Sequence, residues 1–345
     1  MKQDGARKRD ASIEMYRVVL MLLICLLHSF TLGIAPNKYW GSALMWAVCG
    51  FVFISGWFGI RFSFSRGLRL FCLGLICGGV AIAIGKLLDV RLSSTNIAYI
   101  LARQWFLCAY LMLMLFAPFL NMAFEQVKLS RSNWYGAIFP LTVIIIWNWL
   151  GNLNPWLEYG PYTPGLGSYT FLMMLTVYSL GRVSRIKCDS GSSGAKVPTW
   201  KIGVAAFANL VILVCGWRLK LGEYCSPFAM SMSILAFFLF KRVVVPRRLE
   251  TVILFIAPSM FSIYLLHAHT VGAVCIKRMQ NLCLESGMSH YLFIPLSAIV
   301  VFSSCLALDL VRRAVASPLS KSFQRLYKFV DCRIEGALGA VGRAI

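Results

Sequence analysis

Arg17 and His28 stand in one long apolar run, and their types and spacing suggest chemistry before anything else in the chain does. An ionisable side chain at the centre of a bilayer-spanning helix costs at least ~2.5 kcal/mol, which makes it a candidate for function. Eleven residues of helix turn through about three full turns and climb ~16 Å, so both side chains share one face at different depths. A neutral His28 imidazole can accept a hydroxyl proton, the general-base step of acyl transfer. A histidine satisfied by a neighbouring helix is the equal alternative. Taken alone, Arg17 reads more simply as a snorkelling cation paired with Glu14 at i−3. The shared face is what points to a path for a long ligand that enters at one side and reacts near the other.

Arg66 and Arg69 flank Gly67-Leu68 at the start of a later apolar run and share a helix face. Two guanidinium forks side by side suit phosphate, because each donates two parallel hydrogen bonds. Ordinary charge anchoring at a membrane surface is the plainer reading of the same pair. Ser55-Gly56-Trp57 closes the preceding run near these arginines, and its glycine allows either a break in the helix or close packing of small residues. His267 and His269 are two apart, hence ~200° apart on a helix, which makes them poor joint metal ligands. His267 is expected to line a cavity and His269 to meet the outer interface. No GxSxG elbow, P-loop or HExxH occurs. Asp309 pairs most simply with Arg313 at i+4.

Composition sets the frame for these residues. Of 345 residues 59% are hydrophobic and 14% charged, with a mean hydropathy of +0.73, which fits an all-α polytopic membrane protein. No secretory cleavage site follows the first apolar run. The twelve cysteines mostly sit inside apolar runs without a CxxC pair, so they read as small buried hydrophobes. Cys275 and Cys283 are the pair that an oxidising loop would allow to join. The net charge of +21 punctuates the apolar runs instead of forming a nucleic-acid patch.

A spanning helix needs ~20 mostly apolar residues. Candidate spans cover 13–33, 40–60, 67–86, 104–124, 134–150, 167–183, 202–217, 225–241, 251–271 and 291–311, the fifth, seventh and eighth being short. An even count puts both termini on one side. With that side cytoplasmic, the inner segments hold 25 Lys and Arg and the outer segments eight, which is the positive-inside pattern of an inner-membrane multi-pass protein. Arg17 then lies inward and His28 outward. Residues 1–313 form the membrane domain, with a flexible cytoplasmic linker near 184–201 that includes Ser190-Gly191-Ser192-Ser193-Gly194. From about Ser317, Leu319, Phe323, Leu326, Val330 and Ile334 recur at helical spacing among Lys and Arg. Residues 314–345 are therefore expected to be a basic cytoplasmic tail that can lie as an interfacial helix. The outer loop 148–165 lacks Lys and Arg. Its Trp149, Trp156, Tyr159 and Tyr162 suit either sugar stacking or an aromatic belt at the bilayer surface.

These motifs together resemble the acyltransferase-3 family of bacterial membrane proteins, which mainly O-acylate surface carbohydrates. Arg17 to His28 matches the family's Arg/Lys-x10-His motif, and Arg66-Gly-Leu-Arg69 its RxxR motif. Phe53-Ile54-Ser55-Gly56-Trp57 resembles its Ser-Gly-Phe/Tyr segment, with Trp57 as a departure. Trp105-Phe106-Leu107 with Tyr110 and Pro118, and Tyr264-Leu265-Leu266-His267, resemble its fourth-span and late segments. The matches run in family order across nearly the whole chain. The resemblance implies a cytoplasmic acyl-CoA donor, usually acetyl-CoA, and an acceptor presented outside, a glycan or lipid-linked carbohydrate. Carried over, Arg66 and Arg69 with Ser55 and Gly56 would hold the CoA end, and Arg17 would help seat the donor. His28 would be the base or carry the acyl group briefly, while His267, Trp105 and Tyr264 would line the cavity or the acceptor side. No bound cofactor is implied beyond the acyl-CoA substrate. A transporter or flippase for a small solute or lipid-linked sugar is the other class that a ten-helix bundle with few buried charges admits.

Overall fold

The computed structural model describes residues 9–34, 36–90, 104–126, 131–153, 170–189, 197–268 and 270–341; beyond 315 it describes the backbone alone. His269, residues 154–165 of the outer loop, 166–169 at the start of the next expected span and 190–196 of the linker lie outside the described residues. The described chain is helical throughout, in the order α1 (Ala11–Thr31), α2 (Lys38–Leu44), α3 (Trp46–Phe58), α4 (Phe64–Leu87), α5 (Trp105–Gln126), α6 (Arg131–Leu153) and α7 (Phe171–Asp189). It continues with α8 (Thr199–Cys215), α9 (Pro227–Phe240), α10 (Arg247–Ile256), α11 (Met260–His267), α12 (Thr270–Glu285) and α13 (His290–Val341).

Among the described residues, six helical stretches are long and apolar enough to cross a membrane: Ala11–Thr31, Tyr39–Phe58, Phe64–Leu87, Trp105–Glu125, Arg247–His267 and His290–Val315. All six fall on expected spans. Shorter apolar helices, Ile138–Gly151, Thr199–Cys215 and Pro227–Phe240, lie at three more expected positions, and α7 lies at the remaining one. Outward faces carry large apolar side chains, among them Phe119, Phe139, Trp147 and Phe207 at 64–71% exposure. No aqueous surface of a soluble protein presents such a coat, and hydrocarbon covers it without loss. The chain is a membrane protein.

Helix α1 is the central element. It packs on α3, α9, α10, α11 and α13, and its buried residues Ile13, Tyr16, Leu20, Ile24 and Leu27 recur at helical spacing. Asp10 caps it, accepting from the Ser12 backbone N–H at 3.0 Å, and the Tyr16 hydroxyl donates to the Ser233 carbonyl of α9 at 2.9 Å. α3 lies along α7 at a crossing of two glycines. A Cβ on Gly56 would stand 2.1 Å from the Tyr178 carbonyl oxygen, and one on Gly181 2.5 Å from that of Phe53. Small residues let membrane helices approach to backbone contact. Gly56→Leu is expected to cost at least ~1–3 kcal/mol by overpacking, read as a lower Tm of the detergent-solubilised protein.

Several expectations change in detail. Asp309 pairs with Arg312 at i+3, where Nη2 reaches Oδ1 at 2.7 Å, and not with Arg313. Positions i+3 and i+4 both neighbour Asp309 on a helix, and Arg313 is drawn away to the Phe255 carbonyl and the Ser259 hydroxyl, each at 3.1 Å. α7 continues to Asp189, into the expected linker, held by the Arg185–Asp189 pair at 2.7 Å. Cys275 and Cys283 are both free thiols. The last helix runs from the span through Val341 with no break at Ser317.

Candidate active site

At one end of the bundle, a cavity of about 380 Å³ brings together Arg17, Ser55, Arg61, Arg66, Arg69 and Tyr110. Four of the six are guanidinium or hydroxyl groups singled out by sequence: Arg17, Ser55, Arg66 and Arg69. α4 supplies Arg66 in its first turn and Arg69 in its second. Its start is set by the Ser63 hydroxyl, which accepts from the Arg66 backbone N–H at 3.4 Å. The helix N-terminus adds its own partial positive charge to that of the arginines. Ser55 donates to the Phe51 carbonyl at 3.0 Å, so the Tyr110 hydroxyl, 3.2 Å away, donates to the serine oxygen.

Arg17 keeps its local partner and still serves the cavity. Its Nη1 lies 3.0 and 3.2 Å from the two Glu14 carboxylate oxygens, while the side chain is 32% exposed. It also borders a second cavity of about 380 Å³ with Arg9, Arg185 and Lys241, where Asp10 and Glu14 stand among the cations. There the buried Trp57 indole takes Lys241 at 4.4 Å and Arg185 at 5.3 Å over its ring. A broad, predominantly cationic basin thus occupies this end of the molecule, an arrangement whose charge suits anionic groups such as phosphate.

The turn that joins α3 to α4 fixes the basin's shape. Gly59 has a φ of 73°, which favours glycine, and it lets the Arg182 guanidinium pass close by. Asn121 donates to the Ile60 carbonyl at 2.9 Å and accepts from the Tyr178 hydroxyl at 2.8 Å, and that hydroxyl accepts from the Ile60 N–H at 2.9 Å. A closed ring of three hydrogen bonds therefore holds the backbone next to Arg61. Gly56 faces α7 at this level and is not among the residues lining the cavity.

Deeper along α1, His28 meets His267 at the end of α11, the ring centroids 4.9 Å apart and inclined by 52°. His267 is 1% exposed, and its Nδ1 donates to the Ile263 carbonyl at 2.6 Å. That bond leaves Nε2 as the lone-pair nitrogen, 3.9 Å from the Cys25 thiol. His28 Nδ1 is buried without a hydrogen-bond partner among the described residues. Such an atom is costly unless a ligand or proton-bearing group completes it.

A series of aromatic rings joins the two ends. Tyr110 stacks on Phe106 at 6.0 Å, Phe106 meets Tyr264 at 5.3 Å, Tyr264 meets His267 edge-on at 6.2 Å, and His267 meets His28. Trp105 flanks this wall against Phe106 and Tyr224, at 5.7 and 5.9 Å. The acyltransferase-3 family model, which describes an acyltransferase domain, matches residues 10–310. The chain belongs to the acyltransferase-3 family. No curated protein and no solved structure matches it. The stretch matched by the acyltransferase-3 model takes in the first cavity, the ring series and the histidine pair, and all of the second cavity's lining except Arg9.

Sequence reasoning missed three parts of this site. Tyr178 and Asn121 gave one local signal, a polar group inside an apolar run. Gln280, among Lys277, Arg278 and Asn281, gave no such signal and is the most telling. It is fully buried, accepts from the Ile34 N–H at 3.0 Å and donates to the Ser29 carbonyl at 3.1 Å and the Ser297 hydroxyl at 3.2 Å. It thereby ties the end of α1, one residue past His28, to α12 and α13. Gln280→Ala leaves these buried groups unpaired at ~1–3 kcal/mol each. The expected outcome is a lowered Tm together with slower acyl transfer, and Gln280→Glu should recover part of the first.

Proposed function

We propose that this acyltransferase moves an acetyl group from cytoplasmic acetyl-CoA to a hydroxyl of an extracytoplasmic or lipid-linked envelope glycan. The reading places about ten spans in the inner membrane, with both termini and the cationic basin on the cytoplasmic side, as the charge asymmetry favours. The observation that carries it is the ring series leading from a four-arginine cavity to a histidine with an open, buried nitrogen.

In this scheme Arg61, Arg66 and Arg69 bind the CoA phosphates, and Arg17, steadied by Glu14, closes the same basin. The pantetheine arm lies along Tyr110, Phe106 and Tyr264, and the thioester comes to rest beside His28. His28 takes the proton of the acceptor hydroxyl as the oxygen attacks the acyl carbon. The acyl–sulfur bond breaks, an acyl–oxygen bond forms, and the proton passes to the departing thiolate, which leaves as CoA-SH. His267, with its tautomer fixed by Ile263, holds the His28 ring. The reading is tested by comparing O-acetyl content of the surface glycan in cells with and without the protein. Membrane vesicles supplied with radiolabelled acetyl-CoA give the second readout. Equal acetyl content, with no label reaching the glycan, would refute it.

A further inference from the structure

A third cavity, apolar in character, adjoins the histidine pair on the side away from the arginines. It measures about 240 Å³ and lies between Ala81 and Ile84 of α4, Leu266 and His267 of α11, α12 and α13. Its lining is aliphatic apart from His267, Ser304 and two thiols, Cys275 and Cys305. The His267 ring that walls it is the ring 4.9 Å from His28. Hence one amphiphile could be served by two pockets of opposite polarity, a cationic basin at Arg66 and Arg69 and an apolar recess at His267, with the reactive centre between them. A thioester has that pattern: charged phosphates at one end, hydrocarbon at the other, and the scissile carbonyl in the middle.

We infer that the apolar recess seats the hydrocarbon chain of the donor, so that the enzyme accepts medium-length acyl groups as well as acetyl. This rests on the acyl-transfer reading above. Allowing ~30 Å³ for each water-sized group, the recess holds on the order of eight heavy atoms. That exceeds an acetyl methyl several times over and falls far short of a polyprenyl chain. An aliphatic recess of this kind holds water poorly, and each methylene buried in it strengthens binding roughly fourfold.

The test uses membrane vesicles carrying the full chain, supplied in turn with labelled acetyl-, butyryl-, hexanoyl- and octanoyl-CoA. The wild-type protein is expected to transfer butyryl and hexanoyl groups to the same acceptor as acetyl. Val301→Phe, which fills the recess from α13, should reduce hexanoyl transfer at least ~tenfold relative to acetyl. Val301→Ala should move the preference toward longer chains. Retained acetyl transfer shows that both variants fold. A hexanoyl-CoA analogue with a terminal diazirine should label α12 or α13 around Cys275 and Val301, a readout independent of the acceptor. Transfer of acetyl alone by the wild type, or an equal loss of all donors in Val301→Phe, would overturn the inference and leave the acyl-transfer reading intact. A raised KM for a lipid-linked acceptor with an unchanged donor profile would also overturn it and assign the recess to the acceptor's lipid. Failure of every donor would remove both readings together.

Discussion

Membranes containing His28→Ala are expected to move label from acetyl-CoA to glycan at least ~100-fold more slowly than wild type, the usual range for loss of a positioned base. The substitution removes a buried imidazole nitrogen left open, among the described residues, beside the end of the ring series. It leaves the buried face of α1 unchanged, since Ile24, Cys25 and Leu27 carry the packing there. CoA binding at the arginine end should persist, so the expected loss is in kcat with little change in KM for acetyl-CoA. His28→Gln separates the proton-transfer role from simple space-filling: it keeps a polar group of similar size and should remain as slow as alanine. A rate within a few-fold of wild type in either variant would remove His28 from the reaction.

The second large effect is expected from reversing both charges of the Arg66–Arg69 pair. Losing two charge-assisted hydrogen bonds at ~1.5 kcal/mol each weakens CoA binding ~100-fold, and glutamate adds repulsion to the phosphates. Titration of the purified double variant Arg66→Glu, Arg69→Glu with CoA should therefore show little binding at concentrations that saturate the wild type. The α4 N-cap uses the Ser63 hydroxyl and the Arg66 backbone, both kept by the substitution, so the helix start should survive. This experiment also separates an enzyme from a carrier. A carrier that never meets CoA would show no CoA binding in the wild type and unchanged solute flux in the variant.

What the sequence displayed was local. Apolar runs located all six of the long candidate membrane helices because hydropathy is a property of neighbours along the chain. Arg17 and Glu14, three residues apart, and Arg66 with Arg69 were readable from helical spacing, and both relations appear in the structure. The rest depends on which helices meet. Ser55 and Tyr110 are 55 positions apart, Cys25 and His267 are 242, and Ile34 and Gln280 are 246. No spacing rule reaches such separations. Asp309 shows the same limit at short range. Two arginines neighboured it on the helix, and the choice between them was made by Phe255 and Ser259 on another element. Gly56 was visible as a glycine near the site, yet its reason, the backbone of Tyr178, lay on α7.

The unbroken ring series from Tyr110 to His28 has an electrical consequence. On the proposed reading an acyl group passes between the two sides of an energised membrane, and protons must not follow it through the same opening. Phe106 at 7% exposure and Tyr264 at 6% are buried against each other, and they stand between the cationic basin and the histidine pair. Buried rings packed on each other in this way narrow the room for a chain of water at that level. In the proposed scheme the wall along which the donor arm slides would also serve as the membrane's insulation when the arm is absent.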